Sequence, residues 1–91
     1  MIPGLTSDTI EFPVSYTLKV IMETSKGDEN NINFITEVLI AMNIPFSNWS
    51  KKKSGEGKYT SYSVDITVET LIILRLLYTE IKANPDVKFA I

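Results

Sequence analysis

The stretch "KYTSYSVDITV", residues 58–68, constrains the fold more than any other part of this chain. Its side chains alternate strictly, with Tyr62, Val64, Ile66 and Val68 on one face of a strand and Tyr59, Ser61, Ser63, Asp65 and Thr67 on the other. A strand that is apolar on one side and polar on the other belongs to a sheet with one covered face and one open face. The cover must come from amphipathic segments elsewhere in the chain.

The neighbouring segments supply both more strands and the cover. "SYTLKVIMET", residues 15–24, has the same period of two, with Tyr16, Leu18, Val20 and Met22 set against Thr17, Lys19, Ile21 and Glu23. Pro3 and Pro13 precede it, which predicts an irregular N-terminal arm over residues 1–12 and a single domain over residues 13–91. Gly27 then breaks the chain, and Asp28 or Asn30 offers a capping oxygen to a helix over residues 31–42. Its Ile32, Ile35, Val38, Leu39 and Met42 recur at three- and four-residue steps, with Phe34 at the margin. Asn43 and Pro45 stop that helix, and "IPFSNWSKKK" followed by "SGEG" predicts a second strand that turns through a hairpin into residues 58–68. "TLIILRLLYTEIK", residues 70–82, reads as a second helix ended by Asn84 and Pro85. "DVKFAI" closes the series as a strand, with Val87, Phe89 and Ile91 on one face.

The order strand, helix, strand, strand, helix, strand predicts an α+β, ferredoxin-like βαββαβ sandwich: a four-stranded, mostly antiparallel sheet with both helices on one face. The other face is left open, and its expected inventory is Lys19, Ile21, Glu23, Tyr59, Ser61, Ser63, Asp65, Thr67, Lys88 and Trp49.

The second helix carries more apolar surface than one sheet can bury. At about 100° per residue, Leu71, Leu74, Leu77, Tyr78 and Ile81 fall within an arc of about 120° that suits the sheet. Ile72, Ile73 and Leu76 fall almost opposite, as an outward patch. Two-fold association brings such a patch together with itself, so these three residues are the expected protein interface and a homodimer the expected assembly.

Composition narrows the chemistry. With neither His nor Cys, the chain lacks the commonest general base, the best nucleophile and any zinc-thiolate site, which predicts a non-enzymatic protein without metal or cofactor. Glu23 and Asp65 can share the open face of neighbouring strands, where a carboxylate pair could share a proton or hold Mg²⁺, but two solvated carboxylates are the stronger reading. Ser54, Gly55 and Gly57 lie between two strands, so they read as a hairpin and not as a phosphate loop ahead of a helix. The 91 residues are 44% hydrophobic and contain no apolar run long enough to span a bilayer, and the chain has no signal-peptide pattern. A soluble cytoplasmic protein is the expectation.

The net charge is −2, but "KKKSGEGK" has four lysines and one glutamate, a local +3, leaving −5 for the rest of the chain. Lys51, Lys52, Lys53 and Lys58, with Tyr59, are therefore the candidate patch for an anionic partner. Nucleic acid is the second expectation, below protein: sheets that stack bases carry paired aromatics on the open face, whereas Tyr59 and Tyr62 are three apart and face opposite sides. Trp49 is the possible second platform.

The stretches "EFPVSYTLKV", "SGEGKYTSYSVDITV" and "LYTEI…PDVKFAI" resemble the YbeD-like family of small bacterial proteins, sometimes labelled lipoate regulatory proteins. The positions that carry the resemblance are Phe12, Pro13, Lys19, Val20, Ser54, Lys58, Tyr59, Ser61, Tyr78, Pro85 and Val87. The resemblance implies an α/β sandwich related to the amino-acid-binding regulatory modules called ACT domains, and no catalytic site. An ACT-like ligand would involve residues 25–31. Members of the family tend to carry polar residues where this chain has Ile72, Ile73 and Leu76, so the outward patch is a departure from the family pattern.

Overall fold

In the computed structural model, which describes residues 11–91, the alternation of residues 58–68 becomes β3, Tyr59–Val68, buried at every second residue. The remaining elements in chain order are β1 Val14–Glu23, a short 3-10 turn Thr24–Lys26, α1 Asp28–Ala41, β2 Phe46–Lys53, α2 Leu71–Lys82 and β4 Val87–Ala90. Residues 1–10 of the expected arm lie outside the described residues. Phe12 packs against the core, so the ordered fold reaches at least that far.

The sheet order is β2-β3-β1-β4 with every described pair antiparallel, the ferredoxin-like arrangement. β1 and β3 pair over their full length, Val14 opposite Val68 and Glu23 opposite Tyr59, which places Leu18, Val20 and Met22 beside Val64, Tyr62 and Thr60 on the covered face. Ile35 and Leu39 of α1 and Leu74, Leu77 and Ile81 of α2 close over them, and all of these side chains are buried. The sheet contributes alternate residues and each helix about one residue per turn, as the two periods require.

Three local expectations are corrected. α1 begins at Asp28, and neither Asp28 nor Asn30 caps it: the N-cap is Gly27 at φ 87, and the Asn30 side chain instead donates to the Lys26 carbonyl at 2.8 Å. Val87, Phe89 and Ile91 do not share the covered face. A register shift between Ile21 and Met22 sets Val87 opposite Met22 but Ala90 opposite Val20, so Ala90 enters the core and Phe89 turns to the open face. The extra residue in β4 reverses the strand's parity. Trp49 is likewise absent from the open face: another register shift, between Ser47 and Ser50, turns it to the core side, edge-on to Phe46 with ring centroids 6.2 Å apart.

Candidate functional site

Two surfaces carry exposed side chains that the fold itself does not need. The first is the outer face of α2. Thr70 caps the helix, its Oγ1 accepting from the Ile73 amide at 3.2 Å, and so fixes the helix phase. That phase buries Leu74, Leu77 and Ile81, and leaves Ile72 72% and Leu76 50% exposed. Ile73 is less exposed than these two: it is half-buried and packs against the core. The outward patch is therefore Ile72 and Leu76. Leu76 also forms one wall of an apolar groove of about 480 Å³ between the helices, with Phe34, Val38, Ala41 and Met42 opposite and Glu37 and Glu80 at the rim.

The second surface is the open face of the sheet, whose two ends differ chemically. At one end Ser15 and Thr67 share a hydroxyl hydrogen bond of 2.8 Å, and Asp65 accepts from Thr17 Oγ1 at 2.6 Å and Asn48 Nδ2 at 3.1 Å. These two hydrogen bonds hold the Asp65 carboxyl below the usual carboxylate range. Its oxygens are occupied by its own neighbours. At the other end lie Ile21, Tyr59 and Phe89, the last 51% exposed, with lysine ammoniums over the Tyr59 ring: Lys58 Nζ at 5.5 Å and Lys88 Nζ at 5.7 Å from its centroid. Glu23 is paired with Tyr59 at this end and Asp65 with Thr17 at the other, so the two carboxylates do not form a pair.

The basic hairpin does not act as one patch. Its turn is tied by Gly57 N–H to Ser54 O at 2.9 Å and Ser54 N–H to Tyr59 O at 2.8 Å, with Gly57 at φ 75, a conformation that suits glycine. Along β2 the lysines must alternate. Lys52 pairs with Ser61 of the open face, whereas Lys51 pairs with Tyr62 of the covered face and reaches over the sheet edge to form an ion pair with Asp28. Lys53 pairs with buried Thr60, so by the same alternation it goes with Lys51, and its charge also acts on Asp28; Lys52, Lys58 and Tyr59 stay near the open face's apolar end.

The Asp28 end of that ion pair belongs to a network invisible in the composition. Tyr62 Oη donates to Asp28 Oδ1 at 2.7 Å and accepts from Asn31 Nδ2 at 3.1 Å, while Asn31 Nδ2 also donates to the Glu23 carbonyl at 3.0 Å. The bond from Lys51, and after it the bond from Tyr62, holds the Asp28 carboxyl below its ordinary value; burial and Asp28 push the Tyr62 hydroxyl up. The only sequence trace of buried Asn31 is its place four residues before Ile35 on the core stripe. The same network and turn occupy the segment expected to hold an ACT-like ligand: the Thr24 amide donates to Lys58 O at 2.9 Å and the Gly27 amide to Thr24 O at 3.0 Å.

Residues 7–91 match the family described as "Protein of unknown function (DUF493)". The chain belongs to this family. It is the YbeD-like family of the sequence resemblance. Among solved structures, the solution structure of protein HP0495 from H. pylori is similar at 21% identity and a TM-score of 0.72, covering 100% of this chain and 94% of that one. The C-terminal domain of the MgtC protein from Mycobacterium tuberculosis is similar at 15% identity and a TM-score of 0.70, covering 90% of this chain and 88% of that one. At these identities the likeness is one of fold. Comparison with curated proteins gives no match. Among the described residues no helix is long and apolar enough to cross a membrane.

Proposed function

We propose that this DUF493 protein is a small non-enzymatic regulatory module that works through protein–protein binding, and that it pairs with a second copy through the outer face of α2. The observation that carries this reading is the exposure of Ile72 and Leu76 on a helix whose other face already fills the core. Non-enzymatic action is supported by the absence of His and Cys from the sequence.

Charge on the helix flanks supports a second copy and selects its orientation. Ile72, Leu76, Thr79 and Ala83 follow one another at steps of four, three and four residues, the spacing of a helix-pairing seam. At about 100° per residue, Arg75 and Lys82 lie on one flank of that seam and Glu80 on the other, where Glu37 of α1 joins it at the groove. When two copies pair with their α2 helices parallel about a two-fold axis, each basic flank meets the partner's acidic flank. Antiparallel pairing sets like charges together. With 12 residues in α2, the seam is about 18 Å long at about 1.5 Å per residue, so the dimer is weak and concentration-dependent.

Light scattering over a concentration series tests this. The expected result is a mass that rises towards the dimer, is held at the monomer by Ile72→Glu with Leu76→Glu, is lowered by Arg75→Glu alone, and is restored by Arg75→Glu with Glu80→Arg. A wild type that stays monomeric at high micromolar concentration overturns the homodimer.

A further inference from the structure

We infer that the apolar end of the open sheet face is a binding surface for single-stranded nucleic acid. Four open-face residues align across the sheet, one from each strand: Phe89 on β4 pairs with Ile21 on β1, Ile21 with Ser61 on β3, and Ser61 with Lys52 on β2. Tyr59 stands two residues along β3 from Ser61, on the same face. With strands about 4.8 Å apart, Phe89 and Tyr59 are about 12 Å apart, with Ile21, Ser61 and Glu23 on the face between them. Register alone hides this surface from the sequence: only the shift in β4 turns Phe89 to the side of Tyr59.

Lysines surround this surface. Lys58 and Lys88 stand over the Tyr59 ring, Lys52 lines the groove beside Ile21 and Ser61, and Lys19 lies two residues from Ile21 on β1. The acidic groups facing the same end are Glu23, Asp86 and, on the hairpin, Glu56. Four lysines against three carboxylates leave +1 here, in a chain whose total is −2. Glu29, Glu37 and Glu80, on the helices, lie on the far side of the sheet.

The occupant follows from the mixture. An acidic peptide uses the lysines and leaves Phe89 and Tyr59 without a role. A duplex offers phosphates but keeps the faces of its bases within the stack. A single strand presents both, phosphates for the ammoniums and unstacked planar bases for the aromatic rings. Binding is independent of base sequence, because each base has a face to stack.

Fluorescence anisotropy with a labelled, mixed-sequence single-stranded RNA of about ten nucleotides at low salt tests this. The wild type is expected to saturate at micromolar concentration and to weaken with salt at a log–log slope of about −2 to −3, corresponding to three or four neutralised phosphates. Phe89→Ala is expected to weaken binding by about 5- to 100-fold, the range for loss of one stacked base. The sharpest comparison is Lys52→Gln with Lys51→Gln, equal charge changes at adjacent residues. Lys52→Gln weakens binding and Lys51→Gln, on the other face, leaves it unchanged. Because Lys52 is exposed, its variant keeps the test decisive if Phe89→Ala disturbs the fold. No anisotropy change at high micromolar protein, or equal effects of the two lysine variants, overturns the inference. So does a labelled polyglutamate peptide that binds as tightly as the RNA and is indifferent to Phe89→Ala, which assigns the face to acidic proteins.

Discussion

α1 and α2 lie side by side on one sheet, yet they are held there by different physics. Each buries three side chains, about one per turn: Asn31, Ile35 and Leu39 in α1, and Leu74, Leu77 and Ile81 in α2. α2 has a side-chain cap, an apolar buried stripe and a hydrogen bond to the sheet, between the Tyr78 and Tyr16 hydroxyls at 2.9 Å. α1 has only Gly27 at its cap position, and its first turn is pinned by directional bonds, Asn31 and Asp28 to Tyr62 of β3 and Asp28 to Lys51 of β2. Hydrophobic burial has little directional preference, whereas a chain of hydrogen bonds tolerates one arrangement. The polar pin thus fixes where α1 starts over the sheet, whereas α2 is held mainly by the burial of Leu74, Leu77 and Ile81.

The sharpest way to break this contrast is to truncate adjacent leucines of α2. Leu77→Ala should cost about 2–5 kcal/mol, since Leu77 is fully enclosed, whereas Leu76→Ala should stay within about 1 kcal/mol in the monomer. Urea denaturation at low protein concentration measures both, and similar losses would mean that α2 has no inner and outer side. The pin of α1 should respond less strongly. Tyr62→Phe keeps the buried ring but removes the acceptor for Asn31 and the donor to Asp28, an expected loss of about 1–3 kcal/mol by the same measurement. A neutral result would return α1 to ordinary apolar packing.

The smallest effect is in the pH profile. Asp28 has its pKa lowered in the folded chain, so its contribution to stability is fully present above the unfolded carboxylate value of about 3.9 and is lost as pH falls through the depressed folded value. Thermal midpoints of the wild type and Asp28→Asn should therefore differ at neutral pH and converge in that acidic window. A constant difference down to the lowest pH would show that the ion pair contributes nothing that titrates.

How far the sequence could be read depended on whether a residue's surroundings were local. The faces of β1 and β3 were legible because sheet and helices bury one side of each strand along its length, and α2's inner stripe was legible for the same reason. Ile73 lies near the edge of the outward arc on the helical wheel, and in the fold it is half-buried against the core. Val87, Phe89 and Ile91 alternate perfectly as a string, but the bulge that reverses them is a property of the pairing with β1. The lysine run was divisible in principle: three consecutive strand residues cannot share a face, and Lys51 and Lys52 part accordingly. The Asn31–Tyr62–Asp28 network joins residues 34 apart at its widest and has no local signal.

The central position of β1 has a consequence for synthesis. Both of its neighbours, β3 and β4, follow it in the chain, so β1 is made before either strand it pairs with and is paired on both sides only after β4. Chain order thus leaves β1 as the strand that spends longest without its partners during synthesis, and pairing it closes one loop over α1 and β2 and a longer one reaching to β4.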